Sequence, residues 1–120
     1  MAEVTTIIVP IRIESLNVIL RNHWAQRHRT NTSRTLEVYA ELRRARAHRT
    51  LPCTVTLTRI APRPIDEHDN LRGGLKQVAD TVALWLAVPD DNPDITWMYG
   101  QRRGEPRQYA VEIRIEARET

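Results

Sequence analysis

Between Leu71 and Leu86 the large apolar residues fall at Leu71, Leu75, Val78, Val82, Trp85 and Leu86. At about 100° per residue they form one stripe along a helix, with Asp69, Arg72, Gly73, Lys76, Asp80 and Ala83 on the opposite side. Such a stripe must be buried, so the rest of the chain has to supply a surface that covers it. Runs with a two-residue period supply one. Ile7, Val9, Ile11 and Ile13 alternate with Ile8, Pro10, Arg12 and Glu14, predicting a first strand over 4–14 that Pro10 restricts to an edge or a bulge. Cys53, Val55 and Leu57 alternate with threonines; Ile95, Trp97 and Tyr99 form a third run; Val111, Ile113 and Ile115 form a fourth. Val38, Tyr39, Leu42 and Ala45 share a face, which predicts a helix over 34–47 with Ser33 as N-cap. The order is β-α-β-α-β-β. An α/β (α+β) single domain spanning 1–120 is expected, one mixed sheet covered by two helices on one face, with the last two strands joined as a hairpin at Arg102–Pro106.

Hydrophobic residues at 41% beside 28% charged ones exclude a disordered chain. The apolar run near the N-terminus is broken by Pro10, Arg12 and Glu14, short of the roughly 20 residues a membrane span needs, and no basic segment with a cleavage site precedes it. A single cysteine, Cys53, falls at an apolar position and reads as a small core residue. A reducing, cytoplasmic setting without membrane contact is the expectation.

Charge is unevenly distributed. Residues 1–60 hold ten arginines against four acids, and residues 61–120 hold eight basic residues against eleven acids. Lys76 is the only lysine, so seventeen of the eighteen basic residues are arginine, whose planar fork matches phosphate oxygens. The densest part lies between His23 and Arg49, with seven arginines against Glu37 and Glu41, the footprint of phosphate-backbone binding or of a solvated helix face. Ser15 to Ser33 shows no sustained period and reads as a long polar loop. Within it Trp24 is expected to close the edge of the core, with stacking on a base as the alternative. His23 and His28 are expected to meet phosphate or water rather than a metal.

The acids gather in two knots, Asp66–Glu67–His68–Asp69 before the helix and Asp90–Asp91 after it. Crowded carboxylates repel unless a cation or solvent relieves them. A bound divalent ion would do so, and oxygen ligands without a Cys/His cluster suit Mg²⁺ or Mn²⁺ rather than zinc. The alternative is a set of solvated loop acids with Asp69 as helix N-cap. Gly73–Gly74 inside a helix costs about 1 kcal/mol per glycine relative to alanine, so a close approach of backbone or ligand is expected there.

A strand leading into an acidic cluster, Asp69-Asn70-Leu71 opening a helix with a lysine inside it, and Asp90-Asp91 before the next strand resemble the RusA-type endodeoxyribonucleases, a family of small Holliday-junction resolvases, mostly of phages and prophages. The family pattern is Asp-x-Asp-Asn-Leu, a helix of about this length, and Asp-Asp. The resemblance extends over most of the chain and is specific over residues 66–91. It implies an α/β fold, a dimer, and a requirement for magnesium or manganese. It also implies that Glu67 and Asp69 are the motif acids and Asp91 the acid of the second knot, ligating the metal and carrying catalysis. Two departures stand out. Glu67 occupies an Asp position, with Asp66 beside it as the other candidate ligand, and Gly73 stands where the family has its lysine, with Lys76 three residues on to supply the cation.

The resemblance thus implies metal-dependent cleavage of branched DNA in recombination and repair. Arg27, Arg29, Arg34, Arg43 and Arg44, together with Arg72 beside the acids, are the expected phosphate contacts. Two other classes stand beside this reading: a catalytically degenerate nucleic-acid-binding protein, and a phosphohydrolase of small nucleotides. One site cuts one strand, so a protein making two symmetric incisions is expected to be a two-fold homodimer. Ile8 and Met98 on the helix-free face of the sheet, or the glycine pair, are candidates for its interface.

Overall fold

A computed structural model describes residues 3–14, 19, 21, 24–66 and 70–118. The elements are β1 (Val4–Val9), α1 (Trp24–Arg44), β2 (Cys53–Ala61), α2 (Arg72–Leu86), β3 (Ile95–Arg103) and β4 (Ala110–Ala117). They form one four-stranded mixed sheet in the order β1-β4-β2-β3, with both helices on one face. β1 and β2 each pair antiparallel with β4, and β3 pairs parallel with β2. The chain therefore makes two successive parallel crossovers, β1-α1-β2 and β2-α2-β3, and β4 slots between β1 and β2 at the end.

The expected β3–β4 hairpin does not form. Gly104 donates its N–H to the Ala61 carbonyl, so the turn carries the chain across the end of β2 instead of back along β3. Burial explains the choice. Val111, Ile113 and Ile115 are fully buried and take the sheet's centre, where Ile113 lies between Ile7 and Leu57, Val111 beside Val9 and Ile115 beside Val55, whereas Trp97 and Tyr99 are only half-buried and suit an edge.

β1 is an edge strand, as Pro10 requires, and it ends at Val9. A three-residue turn, Ile11 N–H to Val9 carbonyl at 2.8 Å, takes the chain out of the ladder. Ile11 and Ile13 nevertheless bury their side chains. Cys53 is fully buried, and burial pushes its thiol above the ordinary pKa.

α1 begins ten residues before the expected start at Arg34, and Ser33 lies inside it rather than capping it. The segment from Trp24 to Ser33, read as loop, is helical. Of α1 only Val38 and Leu42 are buried, so its first half carries no apolar period to detect. It is held by polar contacts instead: Thr32 Oγ1 donates to the His28 carbonyl, Arg34 to the Arg12 carbonyl, and Gln77 Nε2 to both the Asn31 carbonyl and Thr35 Oγ1. Trp24 is 68% exposed and does not close the core. Both helices end alike, with a left-handed residue (Arg46 and Ala87) and a hydrogen bond from the next residue back to the carbonyl five positions earlier.

α2 buries the expected stripe, and Gly74, Ala79, Thr81 and Ala83 as well. Ala83, expected on the polar side, is covered because α1 packs along that flank. A Cβ on Gly74 would stand 2.5 Å from the Glu14 carbonyl oxygen, so this glycine serves packing within the subunit. Arg59, on the core side of β2 and 7% exposed, holds the same strap, donating from Nε to the Ile13 carbonyl and from an Nη to the Arg63 carbonyl. Burial, and then the nearby Arg12 charge, lower its pKa.

Candidate functional site

β3 anchors the segments that lead into the first acidic knot and carry the second, at Ile65 and at Asp90. Trp97, Tyr99 and Gln101 share the parity that faces the helices, since Trp97 is level with Val55 and Tyr99 with Leu57 of the core. At one end Gln101 clamps the backbone of Ile65: its Oε1 accepts the Ile65 N–H at 3.0 Å and its Nε2 donates to the Ile65 carbonyl at 2.8 Å. Asp66 follows, exposed, and its carbonyl accepts the N–H groups of Asn70 and Leu71 at the entry to α2. At the other end Trp97 Nε1 donates to the Asp90 carbonyl at 2.8 Å. Ile65, just before the first knot, and Asp90, in the second, are thus tied to one strand at positions four residues apart, about 13 Å.

Between these ties lies a cleft of about 400 Å³ lined by Arg72, Gly73, Lys76, Asp90, Trp97 and Tyr99. The Arg72 guanidinium stacks 4.9 Å from the Tyr99 ring centre. Lys76 Nζ lies 3.2 Å from Asp80 Oδ1 and 3.5 Å from Asp90 Oδ2. The hydrogen bond and charge of Asp80, with a smaller contribution from Asp90, raise the lysine's pKa. Burial pushes the Tyr99 phenol up, opposed by the charges of Arg72 and Lys76. The acid of the second knot in contact with Lys76 is Asp90; Asp91, the expected ligand, is exposed in the same turn. Glu67 and Asp69, and also His23, lie outside the described residues. Among the described residues no group of three or more His, Cys, Asp or Glu side chains is arranged to hold a metal ion.

The clefts adjoin one another. A second, of about 410 Å³ between the helices, shares Gly73 and Lys76 with the first and adds Arg34 and Asp80. A third, of about 460 Å³, shares Arg34 and adds Arg12, Arg29, Thr30, Ser33 and Glu37. Arg34 is partly desolvated, which lowers its pKa against the opposing pull of Glu14 and Glu37. A basic path therefore runs from Arg12 and Arg29 through Arg34 to Lys76 and Arg72. Arg27 is half-buried on α1.

Arg43 and Arg44 line none of these three clefts. Nine residues after Arg34, Arg43 points to the other side of α1 at 100° per residue, and both line a fourth cleft with Leu36 and Tyr39, which borders the inter-helix cleft at Thr35 and Leu84. The expected DNA-contacting arginines of α1 thus line neighbouring clefts on different sides of the helix. Conversely Arg12, Trp97, Tyr99 and Gln101 belong to the site and were not singled out from the sequence. The parity of Trp97 and Tyr99 reads as core, and only their position on an edge strand turns them into cleft walls.

Ile8 and Met98, each 53% exposed, stand on opposite edge strands of the helix-free face. Between them lie Thr56, Thr58, Glu112 and Arg114, so they form no continuous apolar patch. No helix among the described residues is long and apolar enough to cross a membrane. A scan of the chain against protein-family models finds no match, and a search of curated proteins finds none.

Proposed function

We propose that this chain is a metal-dependent endodeoxyribonuclease that cleaves branched DNA, of the kind that resolves Holliday junctions in recombination and repair. The observation that carries the reading is the anchoring of Ile65 and Asp90 to one strand, β3, with Arg72 and Lys76 in the cleft between these ties and a basic path leading away through Arg34. Glu67, Asp69 and Asp91, with Asp66, would hold Mg²⁺ or Mn²⁺, an ion that supplies an activated water and neutralises charge on the leaving oxygen. The all-oxygen donor set suits such an ion.

The chain's own residues perform the rest. Arg72, fixed on Tyr99, presents its guanidinium edge to a phosphate at the cleft. Lys76 adds positive charge where negative charge builds during cleavage, and Asp80 and Asp90 keep it protonated. Arg12, Arg29 and Arg34 hold the adjoining backbone by its phosphates, which positions DNA without reading sequence. Two such sites related by a two-fold axis would make the paired incisions a four-way junction requires. The protein would work in the cytoplasm.

Incubating the protein with a four-way junction, linear duplex and single strands in Mg²⁺, Mn²⁺ or EDTA tests the reading. Junction-selective cutting in either metal and none in EDTA is expected; cutting of all three substrates alike, or none, refutes it. The engagement of Lys76 by Asp80 and Asp90 favours one other reading, a junction-binding protein that has lost cleavage, and this is distinguished by tight binding without nicking in either metal.

A further inference from the structure

The cleft at the other end of the helix pair has a different character. Its volume is about 740 Å³, and its floor is apolar, made by Leu36, Tyr39 and Ala40 of α1 and by Leu84 of α2. Leu36 is 66% exposed and Leu84 61%, two leucines on neighbouring helices turned toward solvent over a shared hollow. Arg43, Arg44 and Arg46 form the rim. Only Arg44 is ion-paired among the described residues, to Glu41 at 2.9 Å. Leu84 lies two turns beyond Lys76, about 12 Å along α2, and with Thr35 it borders the inter-helix cleft, while the groove itself extends from there toward Arg43 and Arg46.

We infer that this groove docks an acidic amphipathic helix of a partner protein. The apolar floor fits side chains spaced one helical turn apart, and the arginine rim fits Glu or Asp on the flanks of the same helix. A nucleic-acid backbone satisfies the arginines but sets nothing apolar against Leu36, Tyr39 and Leu84. A second copy docked by the same face brings arginines against arginines. A bilayer surface is too flat to fill a hollow between two helices. The inference does not depend on nuclease activity.

The probe is a fluorescein-labelled helical peptide of about 18 residues with Leu or Phe at i, i+3 and i+7 and Glu elsewhere, read by anisotropy beside a twin with Lys in place of Glu. The acidic peptide is expected to bind, and the basic twin to bind at least about tenfold more weakly. Leu84→Asp and Arg43→Glu should each weaken the acidic peptide by at least about tenfold. Both positions are exposed, so the folded state should survive, checked by circular dichroism; Met98→Asp, equally exposed on the opposite face of the sheet, should leave binding intact. Equal binding of the twins, binding that persists in Leu84→Asp, or no binding at about 1 mM overturns the inference. So does a dimer, or binding to phosphatidylserine vesicles, that disappears in Leu84→Asp, because the groove then belongs to a second copy or to a membrane.

Discussion

The two ends of the helix pair are both rich in arginine or lysine, yet they are built for different neighbours. At the N-terminal end of α2, Arg72 and Lys76 stand among carboxylates, over aromatic edges, in clefts that continue into one another. At the C-terminal end Arg43, Arg44 and Arg46 surround exposed leucines, with Glu41 the one acid in an ion pair there among the described residues. Positive charge alone does not name a ligand. What lies between the charges does: carboxylates and a stacked guanidinium suit phosphate chemistry, whereas an apolar floor needs an apolar occupant.

The most direct way to break the comparison is to disable one end and read both. Asp91→Asn keeps the side-chain volume and removes the charge, so junction cleavage should fall about a thousandfold while junction binding in EDTA persists. Leu36→Asp at the other end should cut at the wild-type rate. Asp94→Asn is the matched control, because Asp94 serves through its backbone, with its carbonyl accepting from Cys53 N–H and Arg118 and its N–H donating to Asn92 Oδ1. Wild-type nicking by Asp91→Asn would remove the second acidic knot from the chemistry.

The acidic end also depends on how closely α2 approaches the strap after β1. Gly74→Ala should destabilise the fold by about 2 kcal/mol, since the new methyl meets a backbone oxygen that cannot turn aside. Gly100→Ala, whose nearest neighbour is the Thr58 hydroxyl at 4.0 Å, should be nearly neutral. Urea denaturation measures both; equal midpoints for the two variants would show that the strap yields.

The same contrast separates what could be read in the sequence from what could not. α2 buries nine of its fifteen residues, and a helix held by its core advertises itself through apolar spacing. α1 buries two of twenty-one, and its first half rests on Arg34, Gln77 and Thr32 contacts that have no periodic signature. The strands were legible from alternation, with the fold class and element order, but the pairing of β4 was not, because a turn sequence does not reveal which edge the next strand will join. The acidic loops and Lys76 were legible as residues. The anchoring of Ile65 and Asp90 to one strand through Gln101 and Trp97 was not, since it joins positions 36 and seven residues apart through side chains that alternation assigns to a strand.

A subtler difference between the two ends is their response to salt. Each phosphate contact contributes about 0.9 to the slope of log affinity against log salt on duplex arms. Arg29→Gln, on the path to the site, should lower that slope for junction binding by about this amount, and Arg43→Gln should leave it unchanged. The reverse pattern would move the DNA onto the groove and detach it from Arg34 and Lys76.

The smallest expected effect lies in the titration of Tyr99. Burial raises its pKa, and the cations Arg72 and Lys76 oppose that rise. An acid whose folded pKa is raised favours the folded state below its unfolded pKa, near 10, and that contribution is lost as pH rises through the folded value. Lys76, also raised, follows the same direction: its contribution is complete below its unfolded pKa and fades through the folded one. Subtracting the ultraviolet titration of Tyr99→Phe from that of the native protein isolates the phenol, which should ionise above the ordinary tyrosine range. Arg72→Ala removes a charge that favours the phenolate, so the midpoint should move higher still. A midpoint that stays put or falls would mean that Arg72 does not rest on Tyr99 in solution, and the cleft would lose the guanidinium assigned to its phosphate.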